Sequence, residues 1–181
     1  MIYLIRHAQS LANKQGLFGL NMPLSLEGIN QAKDSIDKYS FVDIFYSSEL
    51  IRAKQTAEIL SSKKVEPLKE FNELYVGSIE GKLVKDYDDE YNKGNFKKFI
   101  VKYGGDNLSE RLSSTTEKLY QLNELNKTIG IVTSDTLMRC LYLQLTKWEN
   151  WTSLSEAPLI NNLDSLKITF ENGIKIEKYD K

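Results

Sequence analysis

The chain has 181 residues, of which 41% are hydrophobic and 27% are charged, and its formal net charge is −1. Such a composition is typical of a soluble globular protein, and the near-zero charge gives no reason to expect a nucleic acid or an anionic membrane as partner. No apolar run approaches the ~20 residues that span a bilayer, no charged leader is apparent, and the single cysteine, Cys140, has no partner for an internal disulfide. We therefore expect a cytoplasmic protein with one domain over 1–181.

The first part of the chain predicts two buried strands with a helix between them. The runs at 2–5 and 42–47 are short and rich in β-branched and aromatic residues, as buried strands are. Between them, apolar residues recur at helical spacing over 25–39. Ser25 is the expected N-cap of this helix, because a serine side chain can accept a hydrogen bond from a first-turn amide.

A second helix and a third strand are predicted next. The helix covers 48–60, with Ser48 as its cap and Glu49 in its first turn, where the helix dipole favours a carboxylate. The strand lies near 66–70. This order begins a βαβαβ pattern.

A Lys- and Tyr-rich insertion at about 82–106 interrupts the pattern. Apolar side chains recur there at helical spacing, at Phe96, Phe99, Ile100 and Tyr103. We interpret this part as a surface helix with an apolar inner face. The alternative is a basic lid that covers a crevice and selects the substrate.

The last part of the chain predicts helices, a strand and a hairpin. Helices are expected over 107–125 and 136–145, with a buried strand at 128–134 between them. Two alternating runs flank an Asn-Gly pair within 166–179, which is a strong hairpin signal. The whole order predicts an α/β three-layer sandwich, with a mostly parallel mixed sheet flanked by helices and the C-terminal β-hairpin at its edge.

This architecture restricts where a ligand can bind. In open α/β sheets, ligands bind beyond the carboxyl ends of the strands. Arg6 and His7 leave the first strand at such an end, and residues 134–136 leave the strand at 128–134. If these two strands are neighbours, both loops line one crevice.

Four residues near this edge suit phosphoryl transfer. Guanidinium groups such as those of Arg6 and Arg52 bind phosphate oxygens bidentately and stay charged. Two of them would disfavour protonation of His7, leaving a neutral nitrogen that can attack phosphorus, while Glu73 can protonate the departing alkoxide. Because the arginines supply positive charge, and one histidine and one cysteine are poor material for a metal site, we expect no metal and no other cofactor.

Each of these residues also has a plain structural interpretation. A lone histidine at a strand end, such as His7, is commonly structural, and Arg52 or Glu73 alone is consistent with a solvated side chain. Asn13 can cap a turn, and Ser134 can be a turn residue at the end of a strand. The chemical interpretation depends on the whole set being gathered by the fold.

Five blocks of the sequence resemble the histidine phosphatase superfamily, the phosphoglycerate-mutase-like enzymes. They are "RHAQSLAN", "PLSLEGINQA", "YSSELIRAKQTAEIL", "NELYVGSIEG" and "GGDNLSERL". They occur in the order found in that family and cover most of the chain. The third block is highly specific, whereas the first has Ala8 where glycine usually stands.

The resemblance implies a role for each site residue. His7 corresponds to the nucleophile that accepts the phosphoryl group, and Glu73 to the proton donor. Arg6, Asn13 and Arg52 correspond to residues that hold the phosphoryl oxygens. Because the chain is short for a phosphoglycerate mutase, the resemblance implies a phosphatase that acts on a phosphorylated small molecule through a phosphohistidine on His7.

The motif "VTSDTLMR" departs from the family pattern. Ser134 stands where the family has its second histidine and Asp135 where it has a glycine, while Arg139 is kept. A serine can donate one hydrogen bond to the phosphoryl group but carries no charge, and losing such a donor typically costs ~10²–10³ in rate. Asp135 places a carboxylate near the bound anion, unless it pairs with Arg52 or Arg139 or selects an unusual substrate.

Two other functions therefore stay open. One is a catalytically impaired phosphatase that binds a phosphorylated metabolite or protein. The other is a different phosphoryl or nucleotidyl transfer, with Asp135 as the base. The segment at 148–162 carries no readable substrate signal, and an edge hairpin permits either a monomer or a homodimer.

Overall fold

The computed structural model describes residues 1–148, 150–171 and 173–179. Its helices are α1 (Leu11–Gln15), α2 (Leu26–Asp34), α3 (Ile51–Ser61), α4 (Phe96–Lys102), α5 (Leu108–Asn123) and α6 (Asp135–Lys147). Its strands are β1 (Ile2–Arg6), β2 (Ile44–Ser47), β3 (Glu66–Pro67), β4 (Ile129–Thr133), β5 (Ser165–Thr169) and β6 (Lys175–Tyr179). Short 3₁₀ turns and one π-helical turn, Asp89–Lys93, lie between them.

The strands form one mixed sheet in the order β3-β2-β4-β1-β5-β6. The first four strands in this order run parallel, and β5 and β6 are antiparallel to their neighbours. The predicted α/β class and the antiparallel edge hairpin are confirmed, although Asn172 of the hairpin turn lies outside the described residues. Strands β1 and β4 are neighbours, with Arg6 opposite Thr133, so the loops that follow them leave the same edge of the sheet.

Helices cover both faces of the sheet, which gives the predicted three layers. Successive side chains of a strand point to opposite faces. Accordingly Ile2 and Leu4 pack in the core formed with α5 and α6, whereas Tyr3 and Ile5 pack in the core formed with α2 and α3. Because β1 is buried on both faces, its sequence is a nearly continuous run of apolar residues.

The predicted start of the second long helix is wrong. Helix α3 begins at Ile51 after Leu50, and Ser48 does not cap it. Ser48 is fully buried, and its amide donates to the carbonyl of Val132, so the chain is still following the sheet at this point. Glu49 lies before the helix, where its carboxylate accepts a hydrogen bond from Asn72.

Two other boundaries also differ from the prediction. The third strand is limited to Glu66–Pro67 and is followed by a 3₁₀ turn at Lys69–Phe71, so the predicted strand at 66–70 is wrong beyond its first residues. Proline lacks an amide donor, which suits the short edge position. The helix predicted over 25–39 has the predicted N-cap, Ser25, but ends at Asp34.

The insertion folds against the core. Helix α4 buries Phe96, Phe99 and Ile100, which confirms the predicted apolar inner face, while Val101 points to solvent. In the described part of the chain, no helix combines the length and the hydropathy that crossing a bilayer would require.

Candidate active site

A cavity of about 200 Å³ opens at the carboxyl ends of β1 and β4. Six of the predicted site residues line it: Arg6, His7, Asn13, Arg52, Glu73 and Asp135. Residues far apart in the sequence meet here because parallel strands present their carboxyl ends at one edge. Ser134, the remaining predicted residue, is fully buried beside this cavity and contacts Arg52.

The imidazole of His7 is held in one orientation. Its Nδ1 lies 2.7 Å from the carbonyl oxygen of Ala8, and because a carbonyl can only accept, Nδ1 carries the hydrogen. The other ring nitrogen, Nε2, therefore has a lone pair, which accepts a hydrogen bond of 2.9 Å from Nε of Arg52. The backbone carbonyl of His7 accepts from the Asn162 side chain at 2.7 Å, which fixes the loop.

The surroundings of His7 keep it neutral. Its side chain is almost fully buried, and burial lowers its pKa well below the ordinary value of 6.5. The guanidiniums of Arg52 and Arg6 lower this pKa further. A neutral imidazole with a free lone pair is a nucleophile, whereas an imidazolium is not.

Arg52 is a buried cation with uncharged partners. Its Nη1 donates to the carbonyl of Leu20 at 2.9 Å, and its Nη2 lies 3.4 Å from the Ser134 hydroxyl. Together with the bond to His7, these contacts use all three guanidinium nitrogens. Such a cation favours an anionic ligand, because its charge is poorly solvated.

Arg6 and Asp135 lie beside each other in the wall of the cavity. Nη1 of Arg6 donates to the carbonyl of Ile160 and lies 3.7 Å from Oδ1 of Asp135. Oδ2 of Asp135 lies 3.5 Å from Nη1 of Arg139. The pairing predicted for Asp135 with Arg139 is therefore confirmed, while its other arginine is Arg6 and not Arg52.

Glu73 lies at the start of α6. Its Oε1 accepts hydrogen bonds of 3.0 Å from the amides of Leu74 and Leu137, and its Oε2 accepts one of 3.3 Å from the amide of Thr136. Burial raises the pKa of this carboxyl, and the nearby Asp135 carboxylate raises it further, against the opposing effect of Arg52. A raised pKa favours the protonated form that a general acid needs.

Asn13 has a structural role that is compatible with ligand binding. Its Oδ1 accepts from the amide of Ser10, and the Ser10 hydroxyl accepts from the amide of Asn13, both at 3.1 Å, which caps α1. The turn-capping interpretation is confirmed in this respect. The Asn13 side chain nevertheless lines the cavity, where its amide Nδ2 can donate to an oxygen.

The loop that carries His7 depends on a close approach to α2. The amide of Ser25 donates to the carbonyl of Gln9 at 2.9 Å. A Cβ on Gly28 would lie 2.0 Å from that same oxygen, so no larger residue fits there without a backbone shift. Gly28 thus allows α2 to pack directly against the loop that follows β1.

Sequence reasoning missed several contributors to the cavity. Tyr91 and Asn92, from the π-helical turn in the insertion, line it together with Thr136. The Tyr91 hydroxyl lies 2.6 Å from that of Thr136, and Arg139 Nη1 donates to Asn92 at 2.9 Å. No periodicity signals these two residues, although π-helical turns are frequent at functional sites.

A larger groove of about 970 Å³ lies elsewhere, between α4, α5 and the end of α6. Its wall includes exposed apolar side chains such as Val101 and Trp148. The chemistry described above requires a nucleophile beside cations, and the smaller cavity supplies both. Among the described residues, no group of three or more His, Cys, Asp or Glu side chains is placed to hold a metal ion.

Comparison with known proteins identifies the family of the chain. A family model described as the histidine phosphatase superfamily (branch 1) matches residues 2–175. The fructose-2,6-bisphosphatase of Saccharomyces cerevisiae is 27% identical over 150 residues, which are 78% of this chain and 33% of that protein. The chain spans 33% to 40% of the length of the curated relatives that it matches.

Solved structures share the fold at low identity. Phosphoserine phosphatase from Entamoeba histolytica, in complex with 3-phosphoglyceric acid, gives a TM-score of 0.81 at 21% identity and covers 99% of this chain and 96% of that one. Phosphoglycerate mutase from Bacillus anthracis gives a TM-score of 0.81 at 18% identity, with 98% and 91% covered. The phosphoglycerate-mutase-like fold is confirmed, and the family match over nearly the whole length means that this chain belongs to the histidine phosphatase superfamily.

Proposed function

We propose that the chain is a phosphomonoesterase that acts through a phosphohistidine on His7. The observation that carries the proposal is the neutral His7, whose Nε2 lone pair lies beside the guanidinium of Arg52 in a cavity that Arg6 also lines. Arg6 and Arg52 provide positive charge where a phosphoryl group would sit. Glu73, with its raised pKa, supplies a proton donor at the same cavity.

The reaction proceeds in two displacements. When the ester binds, a phosphoryl oxygen takes over the Nε hydrogen of Arg52, which frees the Nε2 lone pair of His7. Nε2 attacks phosphorus, the bond from phosphorus to the alcohol oxygen breaks, and Glu73 gives its proton to that oxygen. A water molecule then attacks the phosphohistidine and gives a proton to Glu73, and the N–P bond breaks to release inorganic phosphate.

The size of the cavity favours a small substrate. At about 200 Å³ it is smaller than the roughly 300–1,000 Å³ that drug-sized ligands occupy. A three-carbon phosphomonoester fits a cavity of this volume better than a nucleotide does. The small volume therefore disfavours nucleotidyl transfer. The names of the relatives suggest a first panel: phosphoserine, 3-phosphoglycerate and fructose 2,6-bisphosphate.

A trapping experiment tests the proposal. Each ester of the panel is added with a labelled phosphoryl group, and both released phosphate and label on the protein are measured after rapid denaturation in alkali. A label that is stable in alkali and lost in acid has the chemistry of a phosphohistidine. If neither phosphate nor label appears with any small phosphomonoester, the proposal is wrong.

Glu73→Gln is expected to lower kcat/KM for alkyl phosphates about 10²-fold, because the departing alkoxide then lacks a proton donor. The loss should be much smaller for p-nitrophenyl phosphate, whose leaving group is stable as an anion. A general acid must be protonated, so wild-type activity should fall as pH rises through the raised pKa of Glu73, and this fall should disappear in the variant. The matched control is Glu66→Gln, which changes an exposed carboxylate outside the cavity. If Glu73→Gln lowers kcat/KM equally for alkyl phosphates and for p-nitrophenyl phosphate, Glu73 is not the proton donor.

A second candidate is a catalytically impaired protein that binds a phosphorylated ligand. One observation that favours it is the weak contact at Ser134. The Ser134 hydroxyl lies 3.4 Å from Nη2 of Arg52 and carries no charge. Asp135 also engages Arg6, which reduces the positive charge available to a bound phosphoryl group. Phosphate binding without any labelling of the protein would favour this function over the phosphatase.

Ser134→His is expected to raise kcat/KM about 10²-fold, because it adds a donor at the position where the family has its second histidine. Ser134 is fully buried, so thermal unfolding must first show that the larger side chain is accommodated. Ser134→Ala is the control and should change turnover little, since the hydroxyl makes only a long hydrogen bond to Arg52. A fall in activity in a stable Ser134→His protein would mean that the serine serves a specialised reaction.

A further inference from the structure

Three charged side chains form an ionic cluster in the wall of the cavity: Arg6, Asp135 and Arg139. The two oxygens of Asp135 lie 3.7 Å from Arg6 and 3.5 Å from Arg139. Charge-assisted hydrogen bonds are shorter, about 2.7–2.9 Å. Asp135 thus lies between two cations without a close hydrogen bond to either one.

The cluster has unmet hydrogen-bonding capacity. Oδ1 of Asp135 is buried and accepts no hydrogen bond, and Nε of both arginines is buried without an acceptor. Most buried polar groups in proteins have a partner, so each exception requires an explanation. An acceptor oxygen at the wall of a ligand cavity is explained if the ligand brings the donor.

The cluster lies on the side of the cavity where the alcohol would leave. Asp135 is the first residue of α6, and the amides of the next two residues, Thr136 and Leu137, donate to Glu73. The two carboxylates are close enough for the charge of Asp135 to raise the pKa of Glu73. Since Glu73 protonates the alcohol oxygen in the proposed reaction, Asp135 is near the rest of that alcohol.

The arginines show which oxygen of Asp135 is available. Arg139 is held by Asn92 at 2.9 Å and lies beside Oδ2. Asp135 thereby offsets the charge of the cation that a second acidic group of a substrate would otherwise use. Nη1 of Arg6 donates to the Ile160 carbonyl, so Oδ1 of Asp135 accepts no hydrogen bond from it and remains open to a donor from the ligand.

We propose that Asp135 is a specificity-determining residue that selects phosphomonoesters of amino alcohols over those of hydroxy acids. The ammonium group of such an alcohol donates to Oδ1 of Asp135, whereas the carboxylate of a hydroxy acid meets the like charge of Asp135. This inference rests on the proposed function for the identity of the leaving group. It concerns a residue that stands where the family has glycine.

Two esters of similar size test the selection. Phosphoethanolamine carries an ammonium group and phosphoglycolate a carboxylate, and ethyl phosphate serves as the uncharged reference. Wild-type kcat/KM is expected to favour phosphoethanolamine over phosphoglycolate about tenfold or more, the effect of one hydrogen bond to a charged group. Asp135→Asn should remove most of this ratio. Ethyl phosphate, measured with the same variant, corrects for any change in activity that is common to all three esters.

The matched control is Asp106→Asn. Asp106 is also paired with an arginine, Arg111, and its side chain is exposed to a similar extent, but it does not line the cavity. This variant should keep the wild-type ratio. Asp135→Gly restores the residue found in the family and should lower the ratio in the same direction as Asp135→Asn, so the test does not depend on one variant.

Binding separates this inference from the proposed reaction. The same three esters are titrated by calorimetry into His7→Ala protein, with and without Asp135→Asn, so that no turnover is needed. If no ester is hydrolysed by the wild type, the proposed function fails, while the ratio of dissociation constants still tests Asp135. A ratio that favours phosphoglycolate, or one that Asp135→Asn leaves unchanged, overturns the inference.

Discussion

Replacing His7 with asparagine is expected to remove the phosphoenzyme and to lower kcat/KM by roughly 10⁴-fold or more, as the loss of a catalytic nucleophile does. The asparagine amide can still donate to the Ala8 carbonyl, as Nδ1 of the imidazole does, but it offers no lone pair in place of Nε2. Loop geometry should therefore be kept while the attacking atom is lost. Released phosphate and alkali-stable label, measured side by side with the wild type, check both parts.

The single histidine makes this result unambiguous. Because His7 is the only histidine of the chain, a phosphohistidine on the protein can only be at this residue. Inorganic phosphate should still bind to the variant within about tenfold of the wild type, since Arg6 and Arg52 remain. The mechanism would be contradicted if His7→Asn released phosphate at the wild-type rate, or if an acid-labile label still formed on this variant.

The pH dependence of the first step gives an independent check on the same residue. Burial and the two guanidiniums lower the pKa of His7 below 6.5, so the nucleophile stays neutral as pH falls through that value. Labelling of the wild type should therefore persist below pH 6.5 and fall only at a more acidic pH.

The central part of the fold was predictable because burial leaves a clear pattern. Strands β1 and β4 are buried on both faces, so both appear as short apolar runs, and polar residues follow each of them. The gathering of His7, Arg52 and Glu73 followed from the rule that the carboxyl ends of parallel strands form binding sites. The roles of these residues remain predictions that the variants above address.

The parts that sequence reasoning missed depend on backbone atoms and on tertiary contacts. The carbonyl of Ile160 positions Arg6, and the Leu20 carbonyl positions Arg52, yet a carbonyl group is common to every residue and gives no sequence signal. The start of α3 was misplaced for a similar reason. The Ile51 amide is satisfied by the Asn21 side chain from another loop, not by a local cap.

Replacing Arg52 with methionine is expected to have the other large effect, a fall in kcat/KM of about 10³–10⁵-fold, the range for an arginine that stabilises a transferring phosphoryl group. Methionine keeps much of the buried volume and removes the charge. Arg52→Lys keeps the charge but has one nitrogen where the guanidinium uses three, so it should recover only part of the loss. Lys54→Ala, at an exposed position on the same helix, is the control and should retain activity.

The same variant links function to stability. Arg52 is 4% exposed, and its three hydrogen bonds go to uncharged groups. The carboxylates of Glu73 and Glu80 attract its charge without a hydrogen bond to it, so the folded protein carries an incompletely compensated buried cation. Burying such a charge costs stability unless an opposite charge binds beside it. Inorganic phosphate at about 100 times its dissociation constant should therefore stabilise the wild type by about 2.7 kcal/mol, a rise in Tm of roughly 5–10 °C.

In Arg52→Met the rise with phosphate should vanish, while the Tm without phosphate should equal or exceed that of the wild type. Thermal unfolding of both proteins, with and without phosphate, distinguishes a binding arginine from a structural one. A structural arginine would leave the phosphate effect intact and lower the Tm of the variant in both conditions. A binding arginine destabilises the empty site because its guanidinium donates hydrogen bonds to an opposite charge only when the anion is present.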